Sequence, residues 1–253
     1  MSERHKRDWE DLAAVDPLWA VLSASGLKGG RWELERFLAT GQADVDALLT
    51  ASGQLGRPAL RRRVLEFGCG VGRVARPLAA RFEEYVGIDV AEGMVSRARE
   101  LHSDLPNCTF VASSAPDLAI FRNAAFDLVY SNLVLQHLPE RAAVERYLAE
   151  FLRVARPDGI VVFQLPAGLR LRRRLQLRRR LYRLLRAVGL GAHLLQRRLR
   201  LHPIRLLAIP EGEVRAHLER HGGEVALVTT EDENGISSRR YYVTAAPRRQ
   251  SGR

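Results

Sequence analysis

Cysteine is scarce: the 253 residues contain two, Cys69 and Cys108. One falls in a glycine-rich stretch and the other at the start of an apolar run. No disulfide framework is expected, and a reducing, cytoplasmic compartment is the default. There is no run of eighteen or more apolar residues, which argues against a membrane-spanning helix. The first eleven residues are charged and lack the apolar centre of a secretion signal. His102, His193, His202, His217 and His221 stand at no ligand spacing from acids or cysteines, so no metal site is expected. Acidic residues are outnumbered. The chain carries 40 Lys+Arg against 29 Asp+Glu, a formal charge of +11 and a pI near 10.6. Such a balance invites nucleic acid or an anionic membrane as partner, although arginine-rich composition of the whole genome explains it equally well.

The hydrophobic share of 46% suits one α/β domain with a sizeable core. Residues 1–60 read as a helical cap or lid, separate from the remainder of the chain. Asp16-Pro17 is an N-cap followed by proline at the first helical position, Trp32 to Leu38 lie within a turn or two of one another, and Asp44 to Leu49 is another short helix. From Arg63 onward, strands and helices alternate. Val64 to Phe67, Tyr85 to Ile88, Thr109 to Val111, Phe126 to Tyr130 and Ile160 to Phe163 read as buried strands. Val71 to Phe82, Ala91 to Leu101 and Glu140 to Val154 read as the helices between them. This alternation predicts a Rossmann-like, doubly wound sheet. An Arg/Leu-rich helical insertion occupies 168–205, where Leu177, Leu181, Leu184, Leu185 and Val188 share one helical stripe. Glu211 to His221 is again helix. Glu224 to Thr229 and Arg239 to Thr244 read as final strands joined by a polar loop, which closes a domain over 61–246. Residues 247–253 read as a disordered tail.

The motif that carries chemistry is Glu66-Phe67-Gly68-Cys69-Gly70-Val71-Gly72-Arg73, between the first strand and the first helix of that sheet. Ligands bind at the carboxyl ends of such strands, and glycine lets the backbone approach them closely. Arg73 stands where a dinucleotide fingerprint needs its third glycine. A carboxylate instead precedes the loop. Glu66 suits a ligand with a sulfonium and an ammonium, met directly or through water. Arg73 either pairs with a ligand carboxylate or caps the helix surface. Asp89 ends the second strand about twenty residues on, where an acid accepts ribose hydroxyls. Alone it reads equally as a helix cap; beside the glycine loop the ribose role is favoured.

Five motifs, VLEFGCGVGR, YVGIDVAEGM, FVASSAPDL, FDLVYSNLVLQHLP and LRVARPDGIVVFQLP, span about residues 60–165. Together they resemble a class I S-adenosylmethionine-dependent methyltransferase of the small-molecule type. The resemblance implies about seven strands with the last one antiparallel, and S-adenosylmethionine as cofactor. It further implies that Glu66, Gly68, Gly70 and Gly72 surround the methionine half, that Asp89 holds the ribose, and that Val90 and Met94 flank the adenine. Ser114, beside Ala115, stands where family members often carry an Asp that meets the adenine amino group, so a hydroxyl or a backbone group takes that place. Asn132 and Leu133 come to lie near the reacting methyl.

Methyl transfer needs a base only if the acceptor holds a proton of high pKa, because the cofactor already carries a good leaving group. His137 follows the fourth strand and is the candidate base, or else a structural histidine. Trp9, Trp19 and Trp32 read as core or lid residues. Residues 169–200 read as a lid over a small or lipid-like acceptor, then as an amphipathic surface for peripheral contact with anionic membrane. A nucleic-acid surface ranks third, because Tyr182 alone offers stacking there and no Asn-Pro-Pro-aromatic run follows the fourth strand. The leading expectation is transfer to oxygen of a small metabolite, sugar or lipid-like molecule. The alternative is a membrane- or RNA-associated cofactor-binding protein without activity. The oligomeric state is unreadable.

Overall fold

The computed structural model describes residues 3–24, 26–170, 175–233 and 236–245. The tail expected at 247–253 lies outside them. Five strands run parallel: β1 (Arg63–Phe67), β2 (Glu84–Asp89), β3 (Cys108–Ala112), β4 (Phe126–Ser131) and β5 (Ala155–Leu169). β7 (Ile236–Ala245) lies antiparallel beside β5, and β6 (Gly223–Glu233) pairs antiparallel with β7 at the edge. The resulting seven-stranded order is β3-β2-β1-β4-β5-β7-β6. Order reverses at β1 and β4, and a crevice opens at that switch point.

Period-two alternation builds both faces. Leu65 and Phe67 of β1, Val129 of β4, and Val161 and Phe163 of β5 face one core, against α6 (Arg141–Val154) and α8 (Glu211–Arg220). Val64, Leu128, Tyr130, Ile160 and Val162 face the other, against α3 (Leu34–Gln54), α4 (Ala75–Ala79) and α5 (Glu92–Leu101). Apolar residues on both sides of one strand are the mark of a sheet covered on both faces.

Several boundaries differ from the sequence reading. Residues 34–54 form one helix, where two short pieces were expected. The glycine inside it is a packing residue: a Cβ on Gly41 would stand 2.0 Å from the Arg73 carbonyl oxygen. Helix α3 is therefore one of the sheet's own covering helices, through Val45, Leu48 and Leu49. The helix expected from Val71 begins only at Ala75, because Gly70 and Gly72 hold positive φ of 53° and 78°. Most of the polar stretch expected as a loop is ladder: Glu231 pairs with Ser238, Asp232 with Ser237 and Glu233 with Ile236, while residues 234–235 lie outside the described residues.

The first helices, α1 (Glu3–Val15) and α2 (Pro17–Val21), pack Leu12, Trp19 and Ala20 on Val71, Ala91 and Met94. Glu10 accepts the backbone N–H of Glu92 at 2.7 Å and of Gly93 at 3.1 Å, anchoring α1 to the positive end of α5. Asp16 precedes Pro17 as expected. Its carboxylate, however, accepts Gly29 N–H at 2.6 Å and Gly30 N–H at 3.1 Å instead of capping α2.

Between β5 and α8 lie α7 (Leu177–Ala187) and a π-helical turn at Leu194–Arg198. Tyr182, Leu195 and Leu201 form a small core there with Leu185 and Leu190. The apolar stripe faces solvent: Leu177, Leu181, Leu184 and Val188 are 64%, 46%, 63% and 67% exposed. Arg179, Arg183 and Arg186, on the opposite side of the helix, are half-buried. An ordinary surface helix does the reverse. Among the described residues, no helix is long and apolar enough to cross a membrane.

Candidate active site

A cleft of about 670 Å³ opens where β1, β2 and β4 end. Its floor is Phe67, Gly68 and Gly70, one side is Ile88 to Val90 with Met94 and Ser113, and the other is Asn132 to Val134. Ala20 and Val21 of α2 and His5 and Trp9 of α1 roof it, with His137 and Leu138 at the end.

Two loop glycines are required by shape. Gly68 and Gly70 have φ of +77° and +53°. A Cβ on Gly68 would lie 2.3 Å from Val134 Cγ2, and one on Gly70 would lie 2.4 Å from Val21 Cγ2. Both neighbours are cleft walls, so any side chain here would push a wall away. Gly72 points elsewhere: its Cβ would meet His102 Nε2 at 2.7 Å.

Asp89 ties the loop to the next helix. One oxygen accepts Gly70 N–H at 2.9 Å and the other accepts Ala91 N–H at 3.0 Å. Burial raises its pKa, and those two N–H donors pull it back. Asp89 faces the cleft, and it is not the helix cap: Ala91 holds the N-cap position of α5, with no side chain capping that helix. Glu66 is buried below the loop and accepts a short hydrogen bond from the Tyr85 hydroxyl. Burial pushes its pKa up to about 8, against the Tyr85 bond and the charge of Arg73, which act to lower it. It is therefore largely protonated at neutral pH.

Arg73 is committed within the protein. Its guanidinium pairs with Asp44 of α3 at 2.7 Å. Arg240 of β7 pairs with the other oxygen at 2.8 Å. Tyr130 Oη and Asn132 Nδ2 donate to Asp44 at 3.1 and 2.7 Å. Burial alone would raise the Asp44 pKa, but Arg240 and Arg73 more than offset it and hold the acid ionised. This buried knot fixes Asn132. Leu133, next along, has φ of +60°, a region that side chains other than glycine rarely adopt. It is held there from the far side by Gln164, whose Oε1 accepts Leu133 N–H at 3.2 Å. The rim under the cleft is therefore strained and braced at both ends.

His137 is half-buried, and loss of solvent around its ring pushes its pKa down to about 4. Its Nδ1 lies 2.6 Å from the Arg205 carbonyl oxygen. A carbonyl only accepts, so Nδ1 carries the hydrogen and the Nε2 lone pair faces the Gln136 amide at 3.2 Å. The Trp9 ring stands over it, with 5.6 Å between ring centroids.

Of the residues singled out from sequence, Gly68, Gly70, Asp89, Val90, Met94, Asn132, Leu133 and His137 share the cleft. Glu66, Gly72 and Arg73 sit beneath the loop. Ser114 and Ala115 lie beside the cleft, and its lining residue is Ser113, whose Oγ accepts Ala115 N–H at 3.2 Å. Reading the sequence missed Asp44, His5, Val21 and Val134. Val134 carried a signal, since it sits between the singled-out rim and His137. The other three reach the site only through tertiary packing.

A profile described as "Methyltransferase domain" matches residues 65–163. The chain is 35% identical over 108 residues to a trans-aconitate 2-methyltransferase of Deinococcus radiodurans, covering 42% of this chain and 38% of that protein. It is 37% identical over 106 residues to a ubiquinone biosynthesis O-methyltransferase of Neisseria meningitidis, covering 40% and 43%. The matches thus span about two fifths of the length of these curated relatives. Among solved structures, magnesium protoporphyrin IX methyltransferase from Synechocystis PCC 6803 with bound SAH superposes with a TM-score of 0.61 at 20% identity, over 96% of this chain and 100% of that one. A SAM-dependent methyltransferase from Leishmania major gives 0.65 at 12% identity, over 95% and 82%. These two share the fold. Profile and relatives agree that residues 65–163 are a methyltransferase domain, and the solved S-adenosylmethionine-dependent methyltransferases share its fold.

Proposed function

We propose that the protein transfers the methyl group of S-adenosylmethionine to an oxygen of a small-molecule acceptor. The observation that carries this reading is the roofed cleft at the carboxyl ends of β1, β2 and β4, bordered by a shape-required glycine loop and by Asp89. The residues present fit the cofactor. Ile88, Val90 and Met94 offer apolar walls to a flat base, and Ser113 offers a hydroxyl. A carboxylate has about four lone-pair sites, so Asp89 keeps acceptor capacity for ribose hydroxyls beyond its two backbone bonds. Glu66, beneath the loop, is the carboxylate closest in kind to what an ammonium group requires.

The cofactor supplies a methyl group on a positively charged sulfur, an electrophile that needs no further activation. The chain's own task is positioning and exclusion of water. Asn132 and Leu133 hold the rim rigid. Trp9 roofs the space, its ring tilted against that of His137. His137, neutral and weakly basic, orients an acceptor more readily than it deprotonates one.

Titration calorimetry with S-adenosylmethionine tests this. We expect binding in the usual range of about 1 μM to 1 mM. Asp89→Ala should weaken it about 10- to 100-fold, the loss of charge-assisted hydrogen bonds. Silence at near-millimolar cofactor overturns the reading and leaves a binding module without activity.

A peripheral membrane contact through 169–200 belongs to the same proposal. It rests on the exposed Leu177, Leu181, Leu184 and Val188 stripe, with exposed Arg178 and Arg180 alongside. Apolar residues flanked by arginines complement an anionic bilayer. Wild type should co-sediment with phosphatidylserine-containing vesicles, and Leu177→Ser, Leu181→Ser, Leu184→Ser together should abolish this. Equal co-sedimentation of the two removes the membrane from the proposal.

A further inference from the structure

A second cavity, of about 440 Å³, adjoins the cleft and shares His5, Trp9 and His137 with it. Four arginines line it, Arg4 of α1, Arg179 and Arg183 of α7, and Arg205 of the stretch before α8. One carboxylate, Asp8, faces them. The next acid along α1, Asp11, is already paired with Arg186 at 3.2 Å. Among the described residues, none of the four forms an ion pair with a carboxylate.

Their hydrogen bonds go elsewhere. Arg179 Nε donates to the Pro203 carbonyl oxygen at 3.1 Å, and Arg205 donates to that of Pro139. Arg183 Nε is buried with no partner. Each guanidinium has five N–H donors, so donors remain at every one. Burial, and then the charges of Arg183 and Arg205, push Arg179 down to about 10. His5 and His137 are both pushed down to about 4, chiefly by burial, and add no charge at neutral pH.

A wall of three half-buried arginines and one exposed one, with a large excess of one sign and an orphaned donor, is poorly satisfied by the protein alone. It is well satisfied by a small anion, because guanidinium forks match carboxylate and phosphate geometry. Its position matters as much as its charge. Only Trp9, His5 and His137 separate it from the cleft. We propose that the methyl acceptor is an acid: its carboxylate or phosphate is held by Arg4, Arg179, Arg183 and Arg205, and the rest of the molecule passes Trp9 and His137 into the cleft. This rests on the methyl-transfer reading and narrows its substrate class.

The test is calorimetric titration of the full chain, at fixed ionic strength, with three probes in turn: S-adenosylmethionine, citrate and inorganic phosphate. We expect citrate or phosphate to bind the wild type, the tighter of the two naming the head group. Arg179→Gln with Arg183→Gln should weaken that binding at least about tenfold, the removal of charge-assisted bonds, with cofactor affinity unchanged. Arg4→Gln, at an exposed position near the start of α1, should weaken it in the same direction without endangering the fold. The inference is overturned if neither anion binds, if the arginine variants bind both as wild type does, or if they lose the cofactor instead. That last result assigns the guanidiniums to the methionine carboxylate. Absence of cofactor binding with anion binding intact overturns the methyl-transfer reading and leaves the anion site standing.

Discussion

The cleft and the arginine chamber share a wall, yet they are assembled by opposite rules. The cleft floor and one of its sides come from residues that follow one another along the chain, Phe67 to Gly70 at the end of β1 and Asn132 to Val134 just after β4. The chamber joins Arg4 to Arg205, from opposite ends of the chain. The cleft is mostly apolar, with one acid at its border and two floor glycines whose contacts under 3 Å forbid a side chain. The chamber is built of long, adaptable side chains whose charges repel. A donor pocket that always takes the same molecule tolerates a rigid local motif. An acceptor pocket varies with its ligand, and the chamber proposed for that role is assembled from α1, α7 and the stretch before α8.

The contrast between the two chambers is open to attack at three points. The largest effect is expected at the brace under the cleft. Asp44→Ala strands Arg73 and Arg240 together, and loss of one partner from a buried ion pair costs about 3–5 kcal/mol. Urea denaturation should record that loss, and a loss under about 1 kcal/mol means that the knot is solvated and the rim is not braced by it.

A middling effect belongs to Glu66. The folded protein holds a proton that the unfolded chain releases near pH 4.5, and keeps it up to about pH 8. Its stabilising contribution is therefore complete in acid and fades as pH rises from about 4.5 to 8. A cationic ligand nearby favours the ionised form. Cofactor binding at pH 7 should then release up to about one proton, and affinity should climb toward pH 8. Calorimetry in buffers of different ionisation enthalpy measures this, and Glu66→Gln should remove it. No proton release by wild type detaches Glu66 from the ligand.

The smallest effect is the most diagnostic for α7. Leu181→Ser and Leu184→Ser should change stability by no more than about 0.5 kcal/mol, the surface value. A loss of about 2–5 kcal/mol, as for core leucines, means that the stripe is covered in solution. A melting curve of the double variant decides.

Much of the cleft was legible in sequence because its signals are local. A strand that ends at a glycine pair, and an acid one strand later, specify their own positions. The parallel sheet was legible for the same reason, since apolar runs on both faces leave few alternatives. What failed was whatever needed a partner. Residues 34–54 read as two short pieces, because nothing in the sequence shows that the Arg73 carbonyl oxygen presses on Gly41. Arg73 invites a ligand until Asp44, far back in α3, is known to hold it. The stripe on α7 was visible, but not the side it faces, because periodicity defines a face and never its direction.

Helix α1 carries Arg4, His5, Asp8 and Trp9, and through them it roofs both chambers at once. Its tether, Glu10, grips the first turn of α5, which also holds Met94 against the cleft. One helix thus touches both guests, so filling either chamber should change the affinity of the other, and calorimetric titration of the anion with and without saturating cofactor measures that coupling.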